Sequence, residues 1–254
     1  MKKPSFLDQP RPLLCAMVQE KTPEEAIAVI MNSLYDGAEA FGIQLEYLKK
    51  EYRDEKTLRE IFSHCKGKPI YITSYRGAES AGLSDEECVG LLLLGLDAGA
   101  TLLDVIGDLF CREPHELTMD PEAVRKQEEL IETIHARGGE ALISSHLHAF
   151  YDEEEVMRIA FEQKRRGADV VKIVSRADTR EELMADLRIA DRLGRELGKE
   201  HLFLAGGREC ALLRQIGPYF GSCVYLTVER YRPQSSKEQP LLRAAKAIRD
   251  AMTI

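Results

Sequence analysis

The feature of this sequence that most constrains its fold is a regular alternation of short apolar runs with longer amphipathic ones. Eight runs have the β-branched and aliphatic composition of strands, at residues 12–18, 41–48, 69–75, 101–107, 140–146, 168–174, 201–206 and 221–228. Helix-starting signals lie between them, at Thr22-Pro23, Ser84-Asp85, Asp120-Pro121 and Thr179-Arg180, and a last helix is predicted over about 237–252. Eight β/α units without a linker predict a single (β/α)8 TIM barrel over residues 1–254.

A doubly wound open sheet is the competing α/β fold. It is disfavoured because no glycine-rich nucleotide loop follows the first strand. In a barrel, ligands bind at the carboxyl ends of the strands, so polar side chains at those ends are candidates for function. The turn AGGR at 205–208, after the seventh strand, is a weak candidate for phosphate binding there.

Composition excludes several classes of partner. The formal net charge is −8 and no long basic run occurs, so we expect neither nucleic acid nor an anionic membrane as a partner. No apolar run reaches the ~18 residues of a membrane span, and we expect no signal peptide because no apolar stretch follows the first basic residues. Six scattered cysteines without a CxxC pair are typical of a reduced protein, which predicts a cytoplasmic location. The oligomeric state stays open, a homodimer included.

Lys172 lies among apolar side chains in the predicted strand GADVVKIV, at residues 167–174. Removing a charged amine from water is costly. One interpretation is a lysine whose stem is buried while its amine reaches solvent at the strand end. The other is an amine that burial keeps neutral, which can attack a ketone and form a Schiff base.

Two histidines end the preceding strand. His146 and His148 are two residues apart, so they project to the same side of an extended chain. Beside an imine-forming lysine, one of them would be a general acid/base. Alternatively the pair is coincidental, or it supplies two zinc ligands with Asp104 as a third, although no further ligand set accompanies them.

Five segments, in order, resemble motifs of the type I 3-dehydroquinate dehydratases. His148-Ala149-Phe150 and GADVVKI are similar to S-x-H-D-F and A-D-x-x-K-I. PIYITSYR is similar to the family's strand ending in T-F-R, LLRQIGPYFGS to S-R-x-x-G-x-x-F-G-S, and SSKEQ to S-A-P-G-Q. The resemblance implies a Schiff-base lyase that converts 3-dehydroquinate to 3-dehydroshikimate, a small carboxylate, without a metal ion or an organic cofactor.

The resemblance also implies roles for individual residues. Lys172 would form the imine and His148 would be the acid/base. Arg214 would pair with the substrate carboxylate, with Ser235 and Gln239 closing over it. The predicted substrate-binding set is Arg76, Arg214, Ser235, Gln239, Gln44 and Glu79.

The chain departs from the family pattern at substrate-side positions. The motif E-x-R-x-D is represented by Gly42, Gln44 and Glu46, and the glutamate of R-x-x-x-E-G-G falls on Ser80, one residue after Glu79. We therefore expect weak activity on 3-dehydroquinate unless Glu79, His146 or Arg232 supplies a substitute. Two alternatives remain: a related imine-forming lyase or aldolase acting on a different hydroxy-keto acid, and a non-catalytic barrel that binds a small carboxylate.

Overall fold

The computed structural model describes residues 3–9 and 12–252, in which strands and helices alternate. The strands are β1 (Leu13–Val18), β2 (Ala40–Gln44), β3 (Ile70–Thr73), β4 (Leu102–Ile106), β5 (Glu140–His146), β6 (Val170–Arg176), β7 (His201–Gly206) and β8 (Val224–Thr227). The α-helices are α1 (Pro23–Tyr35), α2 (Glu55–Ser63), α3 (Asp85–Ala98), α4 (Pro121–Ala136), α5 (Glu153–Arg165), α6 (Arg180–Leu197), α7 (Ala211–Ile216) and α8 (Leu242–Met252). Short 3-10 turns cover Lys50–Tyr52, Ala78–Ser80 and Gly217–Phe220.

All the strand pairs are parallel and follow the order β7-β6-β5-β4-β3-β2-β1-β8. The first strand therefore pairs with the last, as barrel closure requires. Between β7 and β8 the described residues form no ladder, and one hydrogen bond from Cys223 N to His201 O, at 3.4 Å, joins their amino-terminal ends. Eight parallel strands in a nearly closed barrel confirm the (β/α)8 prediction.

Four of the helices begin where the sequence predicts. Thr22, Ser84, Asp120 and Thr179 each accept a backbone hydrogen bond at a helix N-terminus, and Ser84 and Thr179 form complete capping boxes. The last helix begins at Leu242 rather than near residue 237, because residues 235–240 form turns beside the barrel mouth instead. None of the helices in the described ranges is long and apolar enough to cross a membrane.

The apolar core has two layers, separated by the strands. Side chains of alternate strand residues fill the barrel interior, and their neighbours pack outward against the helices. On β6, Val171 and Ile173 belong to the outer layer, whereas Val170 belongs to the inner one. Lys172 has the same parity as Val170, so the strand period directs its amine into the barrel.

Candidate active site

A cavity of about 350 Å³ lies at the carboxyl ends of the strands and is called the central cavity below. Its lining includes side chains from β1, β2, β3, β5 and β6, together with Arg214 and residues 236, 238 and 239. This is the end at which barrels bind ligands. Of the predicted site residues, the structure brings Lys172, His148, Gln44, Arg214 and Gln239 together in this lining.

Lys172 is the centre of a buried hydrogen-bond network. Its side chain is 5% exposed, so the amine lies in the barrel interior rather than in bulk solvent. Nζ donates to the Tyr75 hydroxyl at 2.5 Å, and to the Tyr71 hydroxyl and Asp104 Oδ2 at 3.1 Å each. The amine is thus held by one carboxylate and two phenol oxygens.

Asp104 supplies the negative charge of this network. Burial pushes its pKa upward, but the charge of Lys172 and hydrogen bonds from Ser144, Tyr71 and Tyr75 outweigh that effect and hold the pKa below its usual value. Burial and the Asp104 charge raise the pKa of both tyrosines well above the ordinary range. Ionised Asp104 therefore faces neutral phenols, and Tyr75 donates to Asp104 Oδ2 at 2.6 Å.

His146 ends β5 on the cavity side and is held by Glu116. Its Nδ1 lies 2.6 Å from Glu116 Oε2, which also accepts from the His146 backbone N–H at 3.1 Å. The ring packs edge-on against Tyr75 at a centroid distance of 5.3 Å. A carboxylate on Nδ1 favours the tautomer with the proton on that atom, which leaves Nε2 free to accept a proton.

Glu116 is held in a left-handed backbone conformation, with a φ of 46°. This conformation costs a non-glycine residue about 1–2 kcal/mol. The surrounding contacts enforce it, because Ser145 Oγ donates to the Glu116 carbonyl at 2.9 Å. Burial pushes the pKa of Glu116 upward, but the hydrogen bond and charge of His146 hold it below its usual value.

His148 lies in the exposed segment after β5, with a φ of 55°. It contributes to the cavity lining, but its imidazole makes no hydrogen bond within the described residues. The two histidines therefore differ in how their rings are held. A carboxylate orients the His146 ring, whereas none in the described part of the chain orients the His148 ring.

An amide relay forms one wall of the central cavity. Gln19 Nε2 donates to Gln44 Oε1 at 2.5 Å, and Gln44 Nε2 donates to Glu46 Oε1 at 2.9 Å. Thr73 also donates to Glu46. Burial raises the pKa of Glu46 despite these hydrogen bonds. Both amide N–H groups donate towards Glu46, so Gln19 Oε1, at the other end of the relay, is buried without a hydrogen-bond donor among the described residues.

The structure places Arg76, Glu79 and Ser235 outside this lining. Arg76 is bound at 2.6–2.8 Å by Asp85 and Asp108, whose carboxylates keep its pKa high although burial opposes this. Glu79 is 38% exposed and lies 3.9 Å from Lys21. Ser235 Oγ accepts from the Arg232 backbone within its own turn, and Ser236 is the serine that lines the cavity.

Sequence reasoning missed Tyr71, Tyr75, Glu116 and Glu238. The tyrosines had a usable signal, because Tyr71, Thr73 and Tyr75 alternate along β3 and its end and therefore share the inward face. Glu116 had none, because it lies in the non-periodic loop between β4 and α4. Asp104, the proposed zinc ligand, is bound to Lys172 instead. No group of three or more His, Cys, Asp or Glu in the described part of the chain is arranged to hold a metal ion.

Known proteins resemble this chain in sequence and in fold. A sequence model of the family described as type I 3-dehydroquinase matches residues 14–253. The structure resembles the 3-dehydroquinate dehydratase of Geobacillus kaustophilus HTA426, with a TM-score of 0.80 and 16% identity over 95% of this chain and 91% of that one. It also resembles the type I enzyme of Clostridium difficile with covalent modified comenic acid, with a TM-score of 0.77 and 17% identity over 96% and 93%. No curated protein matches the chain in sequence.

Proposed function

The chain belongs to the type I 3-dehydroquinase family, a family of dehydratases, and from this premise we propose that it converts 3-dehydroquinate to 3-dehydroshikimate through a Schiff base on Lys172. The observation that carries the proposal is the buried amine of Lys172 at the central cavity, within hydrogen-bond distance of two phenols and a carboxylate. Lys172 is also the one lysine among the described residues that line this cavity.

Imine formation begins with loss of a proton from the Lys172 ammonium group. The Asp104 carboxylate, whose Oδ2 lies 3.1 Å from Nζ, accepts that proton. The free amine attacks the ketone carbon, and the hydroxyl of the resulting carbinolamine leaves as water once it is protonated, which gives the iminium. Tyr75, whose hydroxyl lies 2.5 Å from Nζ, is placed to give that proton, and Asp104 reprotonates Tyr75 across their 2.6 Å hydrogen bond, which restores the carboxylate. The Asp104 carboxylate then stabilises the positive charge of the iminium.

The elimination step needs a base beside the imine. His146 Nε2 would remove a proton from the carbon next to the iminium carbon, which gives an enamine. The enamine would then expel the substrate hydroxyl as water, and the protonated His146 would give its proton to that hydroxyl. Water then hydrolyses the iminium, so the net change is the loss of one water. The geometry supports His146 in this role rather than the predicted His148, because Glu116 orients the His146 ring through Nδ1 and leaves Nε2 to face the cavity.

Substrate binding would fall to the polar side chains around the amine. Arg214 and Gln239 lie on one side of the central cavity, and Gln44 lies in the amide relay. The uncharged Gln19–Gln44 pair favours the related-lyase alternative as a second candidate, since its amides bind hydroxyl groups rather than charges.

Borohydride trapping tests the proposal directly. The protein is incubated with 3-dehydroquinate, enone absorbance is followed, and borohydride is added during turnover. We expect one substrate-derived mass on the peptide that contains Lys172 and none in Lys172→Ala. Lys56→Ala, which removes an exposed lysine of α2, is the matched control. An adduct on another lysine, or full activity in Lys172→Ala, would contradict the mechanism.

The histidine assignment is tested with two variants. His146→Ala should still accumulate the trapped adduct but turn over about 10²–10⁴-fold more slowly. His148→Ala should keep most of its rate. The reverse pattern would return the acid/base role to His148.

A further inference from the structure

Arg214 carries a charge that the fold has taken out of water. It is more than nine-tenths buried and lines the central cavity, and its Nε donates to the Ala205 carbonyl at 2.5 Å. A buried guanidinium needs an anionic partner and offers a planar fork that matches a carboxylate. Without such a partner in the protein, Arg214 would therefore select an anionic substrate group.

Glu238 already provides that partner. Its Oε2 lies 3.6 Å from Arg214 Nη2, and its Oε1 accepts from the Gly207 backbone N–H at 2.9 Å. Ser236 Oγ donates to Oε2 at 3.3 Å. Since Glu238 also lines the central cavity, its carboxylate stands in the space that a substrate anion would need.

The other cations of the cavity lining are paired as well. Lys172 is bound to Asp104, and Arg176 Nε lies 2.5 Å from Asp178 Oδ2. Each lysine or arginine among the described lining residues thus has a carboxylate partner. A substrate carboxylate entering this site must displace Glu238 or remain without a cation.

The unsatisfied groups of the same site are neutral acceptors. Gln19 Oε1 and Gln239 Oε1 are buried and have no hydrogen-bond donor within the described residues, and both side chains line the cavity. Buried amide oxygens without a donor are costly. Substrate hydroxyl or amide N–H groups would supply the missing donors.

We propose that Glu238 is a specificity-determining residue, because it holds Arg214 in an internal ion pair. This pairing shifts the preference of the central cavity from ketones that carry a carboxylate near Arg214 towards ketones that carry a neutral hydrogen-bonding group there. The inference rests on the proposed function, because it presupposes a ketone bound at Lys172.

The test compares 3-dehydroquinate with its carboxamide, a neutral analogue of nearly the same shape. kcat/KM is measured for both in the wild-type protein, Glu238→Gln and Glu238→Ala. Glu209→Gln, which makes the same charge change nearby but outside the cavity lining, is the matched control. We expect both Glu238 variants to raise the acid-to-amide ratio of kcat/KM about tenfold or more, mainly through a lower KM for the acid.

Borohydride trapping separates the two possible failures. If neither probe leaves an adduct on Lys172, the proposed function is wrong and the inference falls with it. If both probes leave adducts but the ratio is unchanged in the Glu238 variants, or changes equally in Glu209→Gln, the inference alone is overturned. A lower ratio in the Glu238 variants would overturn it too, because it would mean that Glu238 assists the carboxylate.

Discussion

The contact between Glu116 and His146 makes a quantitative prediction for Glu116→Gln. The glutamine keeps an oxygen that can accept from His146 Nδ1 but loses the negative charge 2.6 Å from that atom. Both side chains are about one quarter exposed, at 27% and 24%, so solvent screens the interaction only in part. A hydrogen bond to a charged group contributes about 1.5–3 kcal/mol, against about 1 kcal/mol for a neutral one.

The variant should therefore lose about 1–2 kcal/mol of transition-state stabilisation, because the imidazolium forms only as the proton is removed. This corresponds to a kcat about 5- to 30-fold lower, with a similar KM. Steady-state kinetics give the rate, and borohydride trapping should show at least as much Lys172 adduct as in the wild-type protein, because the imine forms normally and then waits for elimination.

The control is Glu113→Gln, a change of the same charge at an exposed position of the same loop. An unchanged kcat in Glu116→Gln would refute the positioning role. So would equal losses in the two variants, or a loss of adduct together with the rate, since a merely structural effect would disturb imine formation as well.

Three further predictions concern other parts of the barrel. Tyr75→Phe should slow the appearance of trapped adduct by about tenfold or more, and a normal trapping time course would remove Tyr75 from imine formation. Burial raises the pKa of Asp186 from 3.8 to about 7, so the folded protein binds a proton that the unfolded chain releases, and stability falls as pH rises between these values. Asp186→Asn should therefore be more stable than wild type at pH 8, by about 4 kcal/mol, and nearly equal at pH 3; urea unfolding that shows no such pH dependence would contradict this. Gly194→Ala would place Cβ 1.7 Å from the Phe220 carbonyl oxygen, and it should lose about 1–3 kcal/mol in the same unfolding assay because backbone must move; an unchanged midpoint would show that the clash is relieved.

The fold was predictable because each strand is a compact apolar run and four of the helices carry their own start signals. The strand boundaries were less so. The run 41–48 is apolar except at Gln44 and Glu46, yet β2 ends at Gln44, because the Tyr47 N–H donates back to the Gln44 carbonyl. An apolar composition indicates that a segment is buried, and a buried turn can be as apolar as a buried strand.

The site was predictable where strand parity decides it. Lys172 lies in the interior because it alternates with the outward-facing Val171 and Ile173. The same rule favours Tyr75 over Arg76, which has the opposite parity and binds Asp85 and Asp108 outside the cavity. Glu116 could not be predicted, because a loop residue has no period and its place depends on tertiary contacts.

Because β7 and β8 form no ladder within the described residues, the chain could be circularly permuted at this point. Seven ladders run without a break from β7 round to β8. The native ends of the barrel lie close together, because Arg249 of α8 reaches the Pro12 carbonyl beside β1 at 3.4 Å. A circular permutant that joins α8 to β1 and opens just before β8 would keep every ladder, and would turn the molecule into a β8-first chain whose new ends lie at the amino-terminal end of the barrel, opposite the mouth.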